Sequence, residues 1–472
     1  MRSTKIVATV GPASREPRVL DRMVAAGMDI ARLNFAHGEP AQHAETVERI
    51  RAASERVGRG VAVLQDVPGP KLRIGPVAGG LIELEVGSRL VLTPEPVEGD
   101  ARRLTVTLPG LSEVMRPKDV AYLADGSIRL RVKDVSDGEV VTEVEVGGSV
   151  ASRQGLNLPN VSMALPAVSE DDHRLIDAGI DMGVDLLALS FVRAASDLEP
   201  VRRHLEERDA PMPVIAKIEK PQAAEDAEAV IAAADGIMVA RGDLGIELPI
   251  EQVPLVQKRL LRIAGAQAKP AITATQMLES MVHSTRPTRA EVADVCNAIF
   301  DGSDAVMLSQ ETAVGRDPAG AVKMMAAIAD ATERELPYGR MMVDRGLRSD
   351  AEDQAATIAF GAVGAVYRLG LKALVCPTMT GRTARLLSAH RPNVPILALS
   401  MNPRVVRELA LLWGVFAEQT EEPHDPLQLI DLCAREALRL GLVEPGDKIG
   451  ITAGVPTVTA GGTNLFKVHT VG

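Results

Sequence analysis

Short β-branched apolar runs alternate along this chain with stretches in which apolar residues recur at helical spacing. KIVATV (5–10) is followed by PRVLDRMVAAG, and DIARLNFAHG (29–38) by a second helical stretch and VAVLQDV (61–67). The rhythm returns after residue 166. DLLALSFV (185–192), VIAKIE (214–219), GIMVARGD (236–243), AITATQ (271–276) and AVMLSQET (305–312) each precede a helical pattern. Continuous apolar strands covered by helices are the signature of a parallel α/β sheet. Three units plus five predict a closed (β/α)₈ barrel. A doubly wound open sheet is the alternative, and the count favours the barrel.

Between the third and fourth units the pattern changes. Residues 69–165 read as strands and turns in LIELEVGSRLVLTP, VAYLADGSIRLRV and EVVTEVEV, with hairpin signals at Asp125-Gly126 and Asp137-Gly138. An all-β insertion leaving the C-terminal end of a barrel strand is placed to act as a lid. A third block contains LKALVCPT (371–378), VPILALS (394–400), GVFAEQ (414–419) and KIGITAG (448–454), which read as a smaller α/β domain. The expected units are a barrel over 1–68 and 166–342, a lid over 69–165 and an α/β domain over 343–472.

Composition narrows the function. The 472 residues are 46% hydrophobic and 24% charged, which suits large cores and argues against disorder. Fifty-two basic against 63 acidic residues give a net charge of −11, and aromatics are 2%. Neither favours nucleic acid, which needs released counterions and stacking platforms. Three scattered cysteines, Cys296, Cys376 and Cys433, make no disulfide framework and no metal spacing. MRSTKIVATV lacks the apolar core of a signal peptide, and no run reaches the roughly 20 apolar residues of a membrane span. A cytoplasmic protein with no membrane or nucleic-acid partner is expected.

The candidate chemistry lies at the strand ends, where barrel enzymes place it. Arg32 and Asn34, with His37 after them, end the second strand. Gln65-Asp66 end the third, with Lys71 and Arg73 beyond. Lys217, Glu219 and Lys220 end the fifth, Arg241-Gly242-Asp243 the sixth, Thr275-Gln276 the seventh and Ser309-Gln310-Glu311 the eighth. Glu219 and Asp243 alone are as readily two structural ion pairs as a metal site. Together with Lys217, Arg32, Arg73 and Lys220 they suit a divalent ion bridging a phosphorylated substrate. Lys217 shares a face with Glu219, so structural pairing of the two competes with a functional role. A lone threonine in a strand, such as Thr275, more often packs than reacts. The glycines of VARGDLG (239–245) permit close backbone approach to an anion, although an ordinary strand-to-helix turn needs them as well. Thr288 and Glu291 form a capping box.

TKIVATVGPAS (4–14), RLNFAHG (32–38), VIAKIE (214–219), DGIMVARGDLGIELP (235–249) and the long run AITATQMLESMVHSTRPTRAEVADVCNAIFDGSDAVMLSQETAVG (271–315) resemble the signature segments of the pyruvate kinases. The resemblance extends over essentially the whole chain. It implies phosphoryl transfer from phosphoenolpyruvate to ADP, then protonation of enolpyruvate, in a barrel with a mobile lid and an allosteric C-terminal domain, usually as a homotetramer. It implies Glu219 and Asp243 as ligands of Mg²⁺ (or Mn²⁺). Lys217 neutralises the phosphoryl group in flight and Arg32 holds a phosphate oxygen. Gly242, Asp243 and Thr275 hold the substrate carboxylate, with Thr275 also near the protonated carbon. Arg73, Asn34 and His37 fall on the nucleotide and phosphate side. Ser309 suits either a proton relay through water or a capping role. Arg286 and Arg289 suit either the site or a subunit contact. By the same resemblance, Thr378, Thr380, Gly381, Arg382 and Thr383 form a loop for a phosphorylated effector, where sequence alone reads a plain helix cap.

Departures from the family pattern carry their own expectations. Ala36 stands where the family has serine, and DVPGPKLR replaces DTKGPEIR, so Lys71 replaces a glutamate. With a hydroxyl ligand lost and a fixed +1 charge gained, K⁺ is expected not to be required. Gln154 replaces a lysine that meets nucleotide phosphates, which bears on ADP affinity. Gln310 replaces a glycine. The competing functions are another enolate-forming phosphoenolpyruvate or pyruvate barrel enzyme and a non-catalytic metabolite sensor. The intact Lys217, Glu219, Asp243 and Thr275 weigh against the sensor.

Overall fold

A computed structural model of the chain describes all residues except 70–71, 109, 125, 137, 160–165, 347–352, 422–425 and 455–461. Eight strands close into a parallel barrel: Lys5–Thr9, Ile30–Asn34, Ala62–Val67, Leu186–Leu189, Val214–Ile218, Gly236–Ala240, Ala271–Ala274 and Ala305–Leu308. Each pairs with the next, and the first with the eighth, so the open-sheet alternative does not apply. Side chains alternate between two apolar layers. Val7, Ile30, Leu64, Leu186, Ile215, Met238, Ile272 and Met307 fill the interior, with Ala188 among them. Their neighbours pack outward against the helices. Alternation with a period of two carries these interior rows up to the barrel mouth. Thr9, Arg32, Asp66, Ser190 and Lys217 each stand two residues beyond an interior position, so all five crown the same core.

Several strands end before the segments read as strands from the sequence do. The sixth stops at Ala240, and Arg241 opens a helix, Arg241–Glu247. The fourth ends at Leu189, just before Phe191 at φ +58°, and the seventh at Ala274, before Thr275 and Gln276 at φ +70° and +55°. Left-handed residues cannot continue a strand, and these three are not glycine. The side chains expected at strand ends therefore sit on turns and a helical first turn.

The insertion forms a two-stranded sheet, Leu81–Leu84 with Gly148–Ala151, and a six-stranded sheet around its own core of Leu90, Leu92, Leu130, Val140 and Val144. LIELEVGSRLVLTP divides into two strands at Gly87 (φ +81°). Gly126 and Gly138 take φ +90° and +82° in the expected hairpin turns, whose aspartates 125 and 137 lie outside the described residues. The insertion is not purely β, since Leu111–Val114 is a short helix.

The C-terminal sheet is ordered Val415–Gln419, Ile396–Ser400, Ala373–Pro377, Lys448–Ala453, Leu465–Thr470. The last strand, antiparallel, was not expected from the sequence; its LFKVHT has only weak alternation. Lys5 Nζ donates to the Val415 carbonyl (2.6 Å), and Arg407 and Arg391 pair with Asp185 (2.6 Å) and Asp304 (3.0 Å), joining this unit to the barrel's N-terminal end. Among the described residues, no helix is long and apolar enough to cross a membrane.

Candidate active site at the barrel mouth

Lys217 is buried, and its ammonium is held on three sides. It donates to Ser190 Oγ at 2.6 Å and lies 3.1 Å from Asp66 Oδ1 and 2.8 Å from Glu219 Oε1. Burial alone would lower this lysine, but Asp66 and Glu219 outweigh it and hold it above its ordinary value. Arg32 approaches Asp66 from the other side, Nε to Oδ2 at 2.7 Å, and donates from Nη1 to Thr9 Oγ1 at 2.9 Å. Against its burial, Lys217 and Arg32 draw the Asp66 carboxyl below its usual value. One buried carboxylate thus carries two cations.

Glu219 is in the opposite situation. Burial pushes its carboxyl up, Lys217 opposes, and the neighbouring Asp243 adds to the rise. A buried carboxylate whose charge a second carboxylate disfavours suits a hard divalent cation, which takes one or two carboxylates and completes its shell with substrate oxygens and water. The donor set fits Mg²⁺ or Mn²⁺.

The helix Arg241–Glu247 turns Gly242 and Asp243 toward Thr275. The Gly242 N–H donates to Thr275 Oγ1 at 2.8 Å. The left-handed Thr275 is pinned from behind by Arg241, which donates to the Thr275 carbonyl (2.8 Å) and pairs with Asp294 (2.7 Å). A cavity of about 1010 Å³ opens above, between barrel and insertion. Arg32, Asn34, His37, Gly242, Asp243 and Thr275 line it, as do Tyr122 of the insertion and Ser309.

Not every expected residue is at this surface. Lys217 and Glu219 do not line this cavity. Arg73 sits at the neck of the insertion, bridged to Gly155 and donating to the Arg153 carbonyl at 3.2 Å, and does not line the cavity. Lys71 lies outside the described residues. Lys220, expected among the mouth's cations, instead pairs with Glu247 at 2.6 Å. It stands one residue beyond Glu219, where alternation turns a side chain away. The Gln154 amide oxygen accepts the Ala151 N–H at 3.0 Å. Ser309 Oγ is buried with no partner among the described residues. Thr9 and Ser190 were missed by sequence reading. The signal was present, since both continue the interior rows of the first and fourth strands.

Likeness to known proteins agrees with this geometry. Residues 1–322 match the family model for the pyruvate kinase barrel domain, and 356–469 that for the pyruvate kinase alpha/beta domain. The chain belongs to the pyruvate kinase family. A pyruvate kinase of Geobacillus stearothermophilus is 43% identical over 478 residues, spanning 100% of this chain and 80% of that protein. One from Thermococcus litoralis is 41% identical over 473 residues, spanning 99% and 98%. A crystal structure of a pyruvate kinase from Cryptosporidium parvum has a TM-score of 0.94 at 32% identity, covering 100% of this chain and 96% of that one. The activity is that of a pyruvate kinase, a glycolytic phosphotransferase with phosphoenolpyruvate and ADP as substrates. Pyruvate kinases generally use Mg²⁺, in keeping with the Glu219 and Asp243 carboxylates.

The loop expected to hold an effector caps the helix Arg382–Ala389. Gly381 (φ +78°) donates its N–H to Thr378 Oγ1 at 2.9 Å, and Arg382 pairs with Asp353 at 2.5 Å. Thr383 Oγ1 meets Thr463 Oγ1 at 2.7 Å, and Thr380 is exposed. Thr288 and Glu291 form the expected capping box.

Proposed function

We infer that the phosphoryl group is transferred directly between substrates over the Lys217 ammonium, with no covalent enzyme intermediate. The carrying observation is the triple hold on that ammonium by Ser190, Asp66 and Glu219, which keeps a cation fixed and charged at the reacting end of the barrel. Phosphoryl transfer asks a protein mainly for positioning and fixed charge. In this reading Arg32 holds a phosphate oxygen. A terminal oxygen of ADP forms a bond to phosphorus as the bond to the enol oxygen breaks, and Lys217 neutralises the phosphoryl group between them. The Gly242 and Asp243 N–H groups and Thr275 hold the carboxylate, and Thr275 stands by the carbon that takes up a proton to give pyruvate. Asn34, His37 and Arg73 serve the nucleotide side, Arg73 from the neck of the lid. Mg²⁺ or Mn²⁺, when bound by Glu219 and Asp243, supplies further positive charge for the substrate oxygens. These assembled cations favour phosphoryl transfer over carbon–carbon lysis or metabolite sensing.

The finer features belong to the same reading. The catalytic unit is 1–68 with 166–342, the lid 69–165 and the effector unit 343–472. K⁺ is not required. Lys71 supplies the charge in sequence and Ala36 lacks the hydroxyl. In support, Asn34 Oδ1 already accepts the Ala36 N–H at 3.1 Å, and both Asp66 oxygens are taken by Arg32 and Lys217. A phosphorylated effector binds the loop of Thr378, Thr380, Gly381, Arg382 and Thr383, and displaces Asp353 from Arg382. The protein works as a cytoplasmic homotetramer. The test of the whole is pyruvate formation from phosphoenolpyruvate by purified protein. It is expected only with both ADP and Mg²⁺ present, and pyruvate formed without ADP refutes it.

A further inference from the structure

Lys220 and Glu247 form a buried ion pair beside the reacting groups, and Glu247 lines the same cavity. Their side chains are 12% and 2% exposed, and Nζ lies 2.6 Å from Oε1. The same ammonium sits 5.2 Å from the centroid of the Phe191 ring. Phe191 holds a left-handed backbone (φ +58°) and donates its N–H to Glu219 Oε2 at 3.0 Å. Its ring also closes on Gly69, the first residue of the insertion, where an added Cβ would come within 3.1 Å of the ring.

One ammonium therefore joins three elements. Lys220 directly follows Glu219 at the end of the fifth strand. Glu247 is the last residue of the helix that carries Gly242 and Asp243. Phe191 orients the second oxygen of Glu219. A helix of seven residues has too few internal hydrogen bonds to fix its own position. A buried ion pair, set against an apolar pair of the same size, adds little to stability. What this pair adds is a fixed distance between the strand bearing Glu219 and the helix bearing Asp243.

We propose that Lys220 is a positioning residue for the divalent cation, setting the separation of Glu219 and Asp243 through Glu247 and Phe191. The proposal rests on the assignment of those two carboxylates as metal ligands. Because Lys220 acts through other residues, its effect falls on metal and phosphoenolpyruvate binding and spares ADP.

The test is the paired variant Lys220→Met with Glu247→Met, which removes both charges and leaves the local net charge unchanged. Binding of Mn²⁺ without substrates is read from the electron paramagnetic resonance signal of the free ion. The expected result is a folded protein whose Mn²⁺ dissociation constant rises about 10-fold, the usual cost of losing an outer-shell partner. KM for phosphoenolpyruvate rises with it, and KM for ADP stays within about two-fold. The paired variant Lys220→Gln with Glu247→Gln keeps size and a hydrogen bond, and serves if the first does not fold; a rise in the Mn²⁺ constant is expected there too. Parent-like Mn²⁺ binding in either folded variant overturns the proposal alone. Absence of Mn²⁺ binding in the parent protein overturns the ligand assignment, and this proposal with it.

Discussion

The Gly242 backbone N–H donates to Thr275 Oγ1 at 2.8 Å, so two groups proposed to hold the substrate carboxylate are already bonded to each other. Thr275 makes this bond from a left-handed backbone, which costs a β-branched residue about 1–2 kcal/mol. We read the strain kept there as serving the proposed substrate contact. Thr275→Gly removes both the strain and the hydroxyl. Turnover is expected to fall about 10²-fold, as on loss of a positioned hydrogen-bonding group. The melting temperature is expected to stay within about 3 °C of the parent. Undiminished kcat would show that the hydroxyl serves only packing.

Asp66 is the shared counter-ion of Lys217 and Arg32. Asp66→Asn leaves two buried cations against one fewer charge. Removing one partner of a buried ionic group costs about 3–5 kcal/mol. Both denaturant stability and kcat are expected to fall, the latter at least about 10-fold. A variant of parental stability and activity would mean that the pair is dispensable.

The K⁺ requirement tests the proposal that Lys71 supplies a fixed charge in place of K⁺. Turnover in K⁺-free buffer, with a bulky quaternary ammonium salt holding ionic strength, is expected to match that with K⁺. Lys71→Glu is expected to lower K⁺-free turnover severely and to recover in part when K⁺ is added. Strong stimulation of the parent by K⁺ contradicts the assignment.

His390 is buried within the C-terminal unit, against the Phe360 ring, with its Nδ1 unpartnered among the described residues. Burial and the nearby Arg345 lower its pKa from 6.5 to about 4. The unfolded chain therefore binds a proton between those values that the folded chain refuses. The stabilisation is complete above about pH 6.5 and is lost as pH falls towards 4, by about 3 kcal/mol. Chemical denaturation of His390→Met is expected to show a shallower loss than the parent over this window. Parallel curves would remove His390 as the cause.

Much of this site was legible in the sequence because a barrel strand has a period of two. Once Ile215 faces inward, Lys217 and Glu219 must as well, and Arg32 follows from Ile30. The same rule sends Lys220 elsewhere, although proximity in sequence had grouped it with the mouth's cations. Arg73 was harder to place for a different reason: it lies past the point where the chain leaves the barrel, and no strand register carries across that exit. Strand ends were the least legible feature. Phe191, Thr275 and Gln276 adopt left-handed backbones that their side chains disfavour, and only tertiary contacts such as Arg241 with the Thr275 carbonyl hold them there.

The division of labour between Lys217 and Thr275 is tested most directly by following both half-reactions in Lys217→Met. Phosphoryl transfer from phosphoenolpyruvate to ADP is measured by rapid quench, and exchange of solvent deuterium into pyruvate by nuclear magnetic resonance. The predicted result is transfer slowed about 10³-fold, the scale set by other cations on a transferring phosphoryl group, with exchange retained. Persisting transfer with lost exchange would contradict the account and make Lys217 the proton-handling group.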